Sequence, residues 1–305
     1  SLKAWGSNSY GQIDTPLGTD FTSIAAGTGT GFATRSDGSV AAWGFNQSGE
    51  LAVPSGNFTA VASCIEMVAG LKSDGSIVTW GAEKGLDPAG NNYTAIAVGR
   101  GHGIALKSDG SLVSWGERKY FNKYGQMDVP AGNDFVAIDA DQTNGIALRS
   151  NGSLVAWGEN TYGECDVPAG NDFVAVSAGF HHSLALRENG TIVGWGWNRG
   201  GECDTPPGTF KAIYAGFQYS LALRSDGSLY AWGYNTNVES TNVSGHDFKD
   251  ITGGSSFGLA LRDLSGSPAP VAALAADVRS GQPGLAVNFT DQSTNTPTAW
   301  TWDFE

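Results

Sequence analysis

Two adjacent histidines, His181 and His182, are the first residues of this sequence to invite a chemical reading, because imidazole titrates near neutral pH and ligates metals. Neighbours on an extended strand point to opposite sides, so the pair would not converge on one atom. His102 falls at the position equivalent to His182 in a repeat set out below, and a column shared between repeats is expected to be a polar cap instead of a metal site. Asp139 and Asp141 come next. Two residues apart on a strand, they share one face and would hold a cation or a basic partner side chain, or else stand solvated, which is the expectation. Cys64, Cys165 and Cys203 show no metal-ligand spacing and no even-numbered disulfide framework. Cys165 and Cys203 are equivalent residues of GECDVP and GECDTP, close enough to raise a pairing, with small buried thiols the expected reading. No Ser-His-Asp order, phosphate-cradling glycine loop or supported pair of catalytic acids stands out. The expectation is therefore a non-enzymatic protein with no catalytic residue, no metal and no cofactor.

Composition narrows the partners. The formal charge of −13 repels phosphate backbones and argues against nucleic acid or an anionic membrane. No apolar run approaches a membrane span, so no membrane insertion is expected, and no charged-then-apolar leader opens the sequence. An acidic, weakly charged surface suits an extracellular or cell-surface monomer. The 44 glycines recur at fixed positions, which makes them turn residues and not a sign of disorder.

Those positions belong to a repeat. Trp-Gly occurs at Trp5, Trp43, Trp80, Trp115, Trp157, Trp195 and Trp232, 35 to 42 residues apart. Each copy except the first is preceded by two alternating runs around an Asx-Gly pair, such as Asp37-Gly38 or Asn189-Gly190, the strongest short hairpin signal. Before each hairpin lies a strand opened by an aromatic, namely Phe21, Phe58, Tyr93, Phe135, Phe173, Phe210 or Phe248, that runs into small residues such as Ala25-Ala26-Gly27. Small side chains suit the crowded axis of a ring of sheets, which makes this strand innermost. The sequence thus predicts an all-β, seven-bladed β-propeller over residues 1–263. The segments after Trp-Gly that end in Val-Pro, such as MDVP and CDVP, read as a weak fourth, outer strand. The copies are out of step at the ends: the seventh pair, Phe248 to Arg262, lacks a Trp-Gly strand, and residues 1–6 supply one. Residues 1–6 are therefore expected beside 256–263, an offset closure that leaves no open edge.

The consensus A-G-x-x-H-S-L-A-L-R-S-D-G-S-L-V-A-W-G resembles the regulator-of-chromosome-condensation repeat family, over residues 1 to about 264. In repeat length it looks most like the seven-bladed β-lactamase-inhibitory branch of that family, and the resemblance implies a scaffold that presents one face to a protein. Leu264 to Pro270 reads as a linker. Beyond it, Leu285 to Ser293 and Trp300-Thr-Trp-Asp-Phe304 resemble the first half of a polycystic-kidney-disease (PKD) domain, an immunoglobulin-like sandwich found on surface proteins, so 271–305 is expected to be a truncated PKD-like segment.

In an antiparallel blade, the loop from inner to second strand and the one after Trp-Gly emerge together. This face varies between copies while the hairpin face is uniform. Its aromatics gather on blades five to seven: Phe180 beside His181, Trp197, Phe217, Tyr219, Tyr234 and Phe257. Phe45 and Arg100 stand on the same face in earlier blades. A four-residue insertion after Trp115 adds Arg118, Tyr120 and Phe121. Large aromatics at loop surfaces anchor interfaces or cap the blade beneath them. The expected function is capture of an unknown protein partner, in the manner of an inhibitor, with a carbohydrate-binding or adhesion module as the alternative.

Overall fold

The computed structural model describes residues 1–82, 87–116, 122–234 and 243–263, together with the strands at 274–276 and 289–291. Seven three-stranded antiparallel sheets form, each ordered inner, middle, outer. In the fourth blade these are Phe135–Asp141, Asn144–Arg149 and Leu154–Gly158, and in the fifth Phe173–Ala178, His182–Arg187 and Ile192–Gly196. The chain divides into two compact units, Ser1–Arg262 and Asp263–Glu305. Among the described residues no helix is long and apolar enough to cross a membrane.

Local chemistry explains the strands. At each Asx-Gly turn the Asx side chain takes the polar groups of the residue two ahead: Asp37 Oδ1 accepts from the Ser39 amide at 2.9 Å and its hydroxyl at 2.7 Å. Gly38 sits at φ 83°, which a side chain would resist. The aromatic that opens each inner strand is followed by a register shift in all seven blades, as between Phe135 and Ala137. The bulge turns the ring inward, leaving Phe21, Phe135, Phe173 and Phe210 each 3 % exposed, while the next residue faces out. Every middle strand is buried along five of six residues, because blades press on both its faces. Hydrophobic burial on that scale contributes most of the folding free energy, at about 25 cal/mol per Å².

The predicted closure is present. Leu2–Gly6 pairs with the last middle strand in the register Leu2↔Leu261 to Gly6↔Phe257, and Arg262 N donates to Ser1 O at 2.8 Å. Tryptophan then ties neighbouring blades. The indole N–H of Trp43, Trp80, Trp157, Trp195 and Trp232 donates to the backbone carbonyl of Gln12, Glu50, Gln126, Glu164 and Glu202, respectively, at 2.7–2.9 Å. Gly31, Gly103, Gly145 and Gly258 lie under the rings of Trp43, Trp115, Trp157 and Trp5, where a Cβ would overlap the indole.

The fourth, outer strand expected at MDVP and CDVP does not form; the segment is a hydrogen-bonded loop. Asn160 shows why. Its Oδ1 accepts from Cys165 N at 2.8 Å and its Nδ2 donates to Asp166 at 2.9 Å, while the Glu164 carboxylate accepts from Tyr162 N at 2.7 Å. Side chains thus take the amides a strand ladder would have used. Asn8, Asn122 and Asn198 repeat the arrangement. In the second unit, Leu274–Ala276 pairs antiparallel with Phe289–Asp291. The rest of the PKD-like expectation lies outside the described residues.

Candidate functional site

The two sets of loops share one face, as expected. Where the residue after Trp-Gly is described, it donates its amide to the inner loop of its own blade, as Phe45 does to Gly29 O, Trp197 to His181 O and Tyr234 to Gln218 O, at 2.7–2.9 Å. The hydrogen bond fixes the first side chain of each outer loop beside the inner loop.

On the fifth and sixth blades this geometry assembles one aromatic patch. Phe180 and Phe217 stack with centroids 4.4 Å apart and planes at 17°, and Phe180 lies 3.8 Å from the His181 ring. Tyr162 meets His181 at 4.8 Å and Trp197 edge-on at 4.6 Å. The Arg199 guanidinium stands 4.7 Å over the Trp197 ring. His181 is held by Glu164, whose Oε1 is 3.2 Å from Nδ1, and Glu164 itself is 2 % exposed. Phe180, His181, Trp197 and Phe217 are half-buried, with Tyr162 and Arg199 exposed. Tyr234 flanks the patch against Gly200, where a Cβ would come 2.8 Å from its own.

Other expected anchors fall elsewhere. Tyr219 and Phe257 are buried, at 1 % and 0 % exposure, and are corrected from surface contacts to scaffold. Each opens a middle strand, and that position points under the next blade: the Tyr219 hydroxyl lies 2.8 Å from Gly254 O and 2.7 Å from Phe257 O. Phe45 pairs edge-on with exposed Tyr10 at 5.0 Å, as a separate contact, and Arg100 is exposed on the third blade. Arg118, Tyr120 and Phe121 lie outside the described residues. Tyr162, Glu164 and Arg199 were not anticipated, although the recurrence of a tyrosine two residues before a buried Gln or Glu, at Tyr10, Tyr124 and Tyr162, was there to be read.

His102 and His182 are buried in the same column as Tyr219. Burial pulls their pKa values down to about 4 and about 3, so both are neutral at physiological pH. His182 Nε2 lies 2.9 Å from Ser220 Oγ of the next blade. Among the described residues, no cluster of three or more metal-ligating side chains occurs. Cys165 and Cys203 are free thiols, placed 3.1 Å and 3.3 Å from the carbonyls of Glu159 and Trp197.

Beside the patch the inner strands enclose a cavity of about 240 Å³ on the ring axis, and Phe217 belongs to both. Its wall is mostly small and apolar on the first three blades, with Ala25, Ala62 and Ala97, and carries Asp139, Tyr214 and Thr252 on the fourth, sixth and seventh. Asp139 is not simply solvated: its carboxylate accepts from Ala140 N, Ala178 N and Ser177 Oγ at 2.9–3.1 Å. Asp141 Oδ1 accepts from Cys64 Sγ at 3.6 Å. Loss of hydration raises Asp139 to about 6 and Asp141 to about 7.

Comparison with known proteins bears on the scaffold. Residues 93–126, 173–202 and 210–237 match the Regulator of chromosome condensation (RCC1) repeat. No protein of curated function matches the sequence. Prp20p from Saccharomyces cerevisiae has a similar structure, with TM-score 0.71 and 18% identity over 85% of this chain and 90% of that one. The chain is a seven-bladed repeat propeller, three segments of which match the RCC1 repeat. The same fold appears in human WBSCR16 (TM-score 0.69, 14% identity, 81% and 87% covered) and the ectodomain of the Physcomitrella patens receptor kinase CR4 (TM-score 0.68, 20% identity, 81% and 72% covered). At these identities the likeness of the RCC1-like propeller to its neighbours concerns the fold alone.

Proposed function

We propose that this RCC1-like propeller is a non-enzymatic, extracellular binding module that captures a protein partner, in the manner of an inhibitor, through its variable face. The observation that carries the reading is the contiguous patch of Tyr162, Phe180, His181, Trp197 and Phe217, in which buried Glu164 holds the His181 ring and the Tyr162 amide. Pre-ordered aromatics lose little conformational entropy on binding and supply the central contacts of protein interfaces. Prp20p, the yeast protein of similar fold, is described by its binding to Gsp1p and histones, which supports protein recognition as a use of this architecture.

A photocrosslinking amino acid at position 180 tests the reading. It is expected to trap a protein from culture supernatant or cell envelope, and Trp197→Ala with Phe217→Ala is expected to abolish trapping without unfolding the ring. A β-lactamase inhibition assay checks the inhibitor-like form directly. The exposed Tyr162 and half-buried Trp197 also suit a sugar platform. Glycan-array binding lost in the same double variant, with no protein trapped, would favour the carbohydrate-binding reading.

A further inference from the structure

The axial cavity is walled by the inner strands, and the only charged side chains lining it are Asp139 and Asp141; no lysine, arginine or histidine does so among the described residues. Two carboxylates facing a shielded space without a counter-charge are an unfavourable arrangement, which a cation would relieve. The two are not equally satisfied. Asp139 has the Ala140 and Ala178 amides and the Ser177 hydroxyl, whereas Asp141 has the Gln142 amide and a thiol at 3.6 Å. Spare hydrogen-bonding capacity collects around Asp141. Directly opposite it across the strand pair, and so on the same face of the blade, stands Asn144, 2 % exposed, whose Oδ1 and Nδ2 have no partner among the described residues. His102 Nε2 of the preceding blade is likewise buried and unpartnered. At the rim, Phe217 joins the cavity to the stacked Phe180.

We propose that the axial cavity receives the cationic head of a lysine or arginine side chain from the partner, paired with Asp141 and flanked by the Phe180–Phe217 stack. The proposal rests on the protein-binding reading of this face and specifies its partner as one presenting a basic side chain at the contact. The −13 net charge adds long-range attraction for such a partner. The carboxylates must be ionised to bind it. Burial holds Asp141 near 7 and Asp139 near 6, so pairing strengthens as pH rises through that range. The other titratable groups facing Asp141 are the Cys64 thiol and the Tyr214 hydroxyl, the latter pushed well above its ordinary value by burial and so neutral there.

The test uses the intact protein and a small probe, N-butylguanidinium, with neutral N-butylurea as the isosteric control, followed by backbone-amide NMR. Saturable one-to-one shifts at Ala140, Gln142 and Phe217 are expected for the guanidinium alone. Its affinity is expected to fall about tenfold or more between pH 8 and pH 5, and by a similar factor in Asp141→Asn at pH 8. No saturable shift, equal response to the neutral control, or affinity unchanged by both pH and D141N would overturn the proposal. The pH and control arms need no variant, so they stand even if D141N fails to fold. Because no macromolecular partner is involved, a negative result here leaves the photocrosslinking test of protein capture unaffected, and the reverse also holds.

Discussion

The carboxylate of Glu164 lies 3.2 Å from Nδ1 of His181, and the backbone carbonyl of the same glutamate accepts the indole N–H of Trp195. One residue therefore holds the blade seam with its main chain and the aromatic patch with its side chain. Its other carboxylate oxygen accepts from Tyr162 N at 2.7 Å, which ties the exposed tyrosine into the same contact.

Glu164→Ala should leave the Tyr162 amide without its acceptor and the His181 ring without its support. A loss of about 1–3 kcal/mol in urea unfolding is expected. Glu164→Gln should cost under about 1 kcal/mol, because Gln12 and Gln126 perform the same amide capture in other blades. Equal losses for the two variants would show that the capture is not what matters.

Tyr219→Phe removes the hydroxyl that reaches Gly254 O and Phe257 O beneath the next blade. Thermal or urea melts should show about 1–2 kcal/mol of destabilisation, with partner trapping at position 180 unchanged. Lost trapping in a folded Y219F protein would return Tyr219 to the contact surface.

The part of the fold written in the sequence is the part fixed by local chemistry. Asx-Gly turns, Trp-Gly strands and the out-of-step ends dictated seven blades and the Leu2–Gly6 closure, because each depends on residues a few positions apart or on a simple count. The expected fourth strand failed because Val-Pro at CDVP was weighed and Asn160 with Asp166 was not; Asn160 donates its side-chain amide to Asp166 six residues on and closes a loop instead. The patch was half legible. Trp197, Phe180 and Phe217 were visible as bulky residues in variable loops. Tyr162 reaches them from the preceding blade's outer loop, a neighbour relation that only the ring geometry supplies. Tyr219 and Phe257 were misplaced by a single residue, since alternation along a strand sends Gln218 and Ser256 to the surface side and their successors under the next blade.

Stability should respond to pH through the axial carboxylates. Their folded pKa values, about 6 and about 7, stand above the ordinary carboxylate value of 3.8, so the native state binds more protons than the unfolded chain between roughly pH 4 and 7. Their contribution is fully present below pH 4 and is lost as pH rises through 6 to 7. Asp141→Asn should therefore stabilise the ring by about 1–2 kcal/mol at pH 8, with the difference from wild type shrinking toward pH 4. Buried His102 and His182, held neutral with pKa values of about 4 and about 3, act oppositely and weaken the protein as pH falls below 6.5. They cancel in the comparison of D141N with wild type. A D141N advantage that grew toward acid would refute the assignment.

Cys165 and Cys203 should react slowly with a thiol-specific disulfide reagent at pH 8. Burial, reinforced by the neighbouring carboxylates, pushes their thiols up to about 11 and about 12, and the thiolate is the reactive form. Fast labelling of both in the native protein, at the rate of the urea-unfolded chain, would contradict the hydrogen-bonded loop described for Asn160 and Asn198.

Trp5→Ala should be as damaging as Trp80→Ala, about 3–5 kcal/mol in each case, although Trp5 lies at the very start of the sequence. Both side chains are buried, at 8 % and 4 % exposure, and each fills the seam of its own blade. A mild effect at Trp5 would mean that the closing strand is dispensable.

The register of that closing strand also sets how the ring would yield to force. Ser1 and Arg262 are adjacent, and the pairing runs away from them, from Leu2↔Leu261 to Gly6↔Phe257. Tension applied at Ser1 and Arg262 would load these hydrogen bonds in succession from one end, peeling the strand, and would not share the load among them in shear. The ring would thus have a mechanically soft seam, and its rupture force in a pulling experiment would report on five residue pairs and not on seven blades.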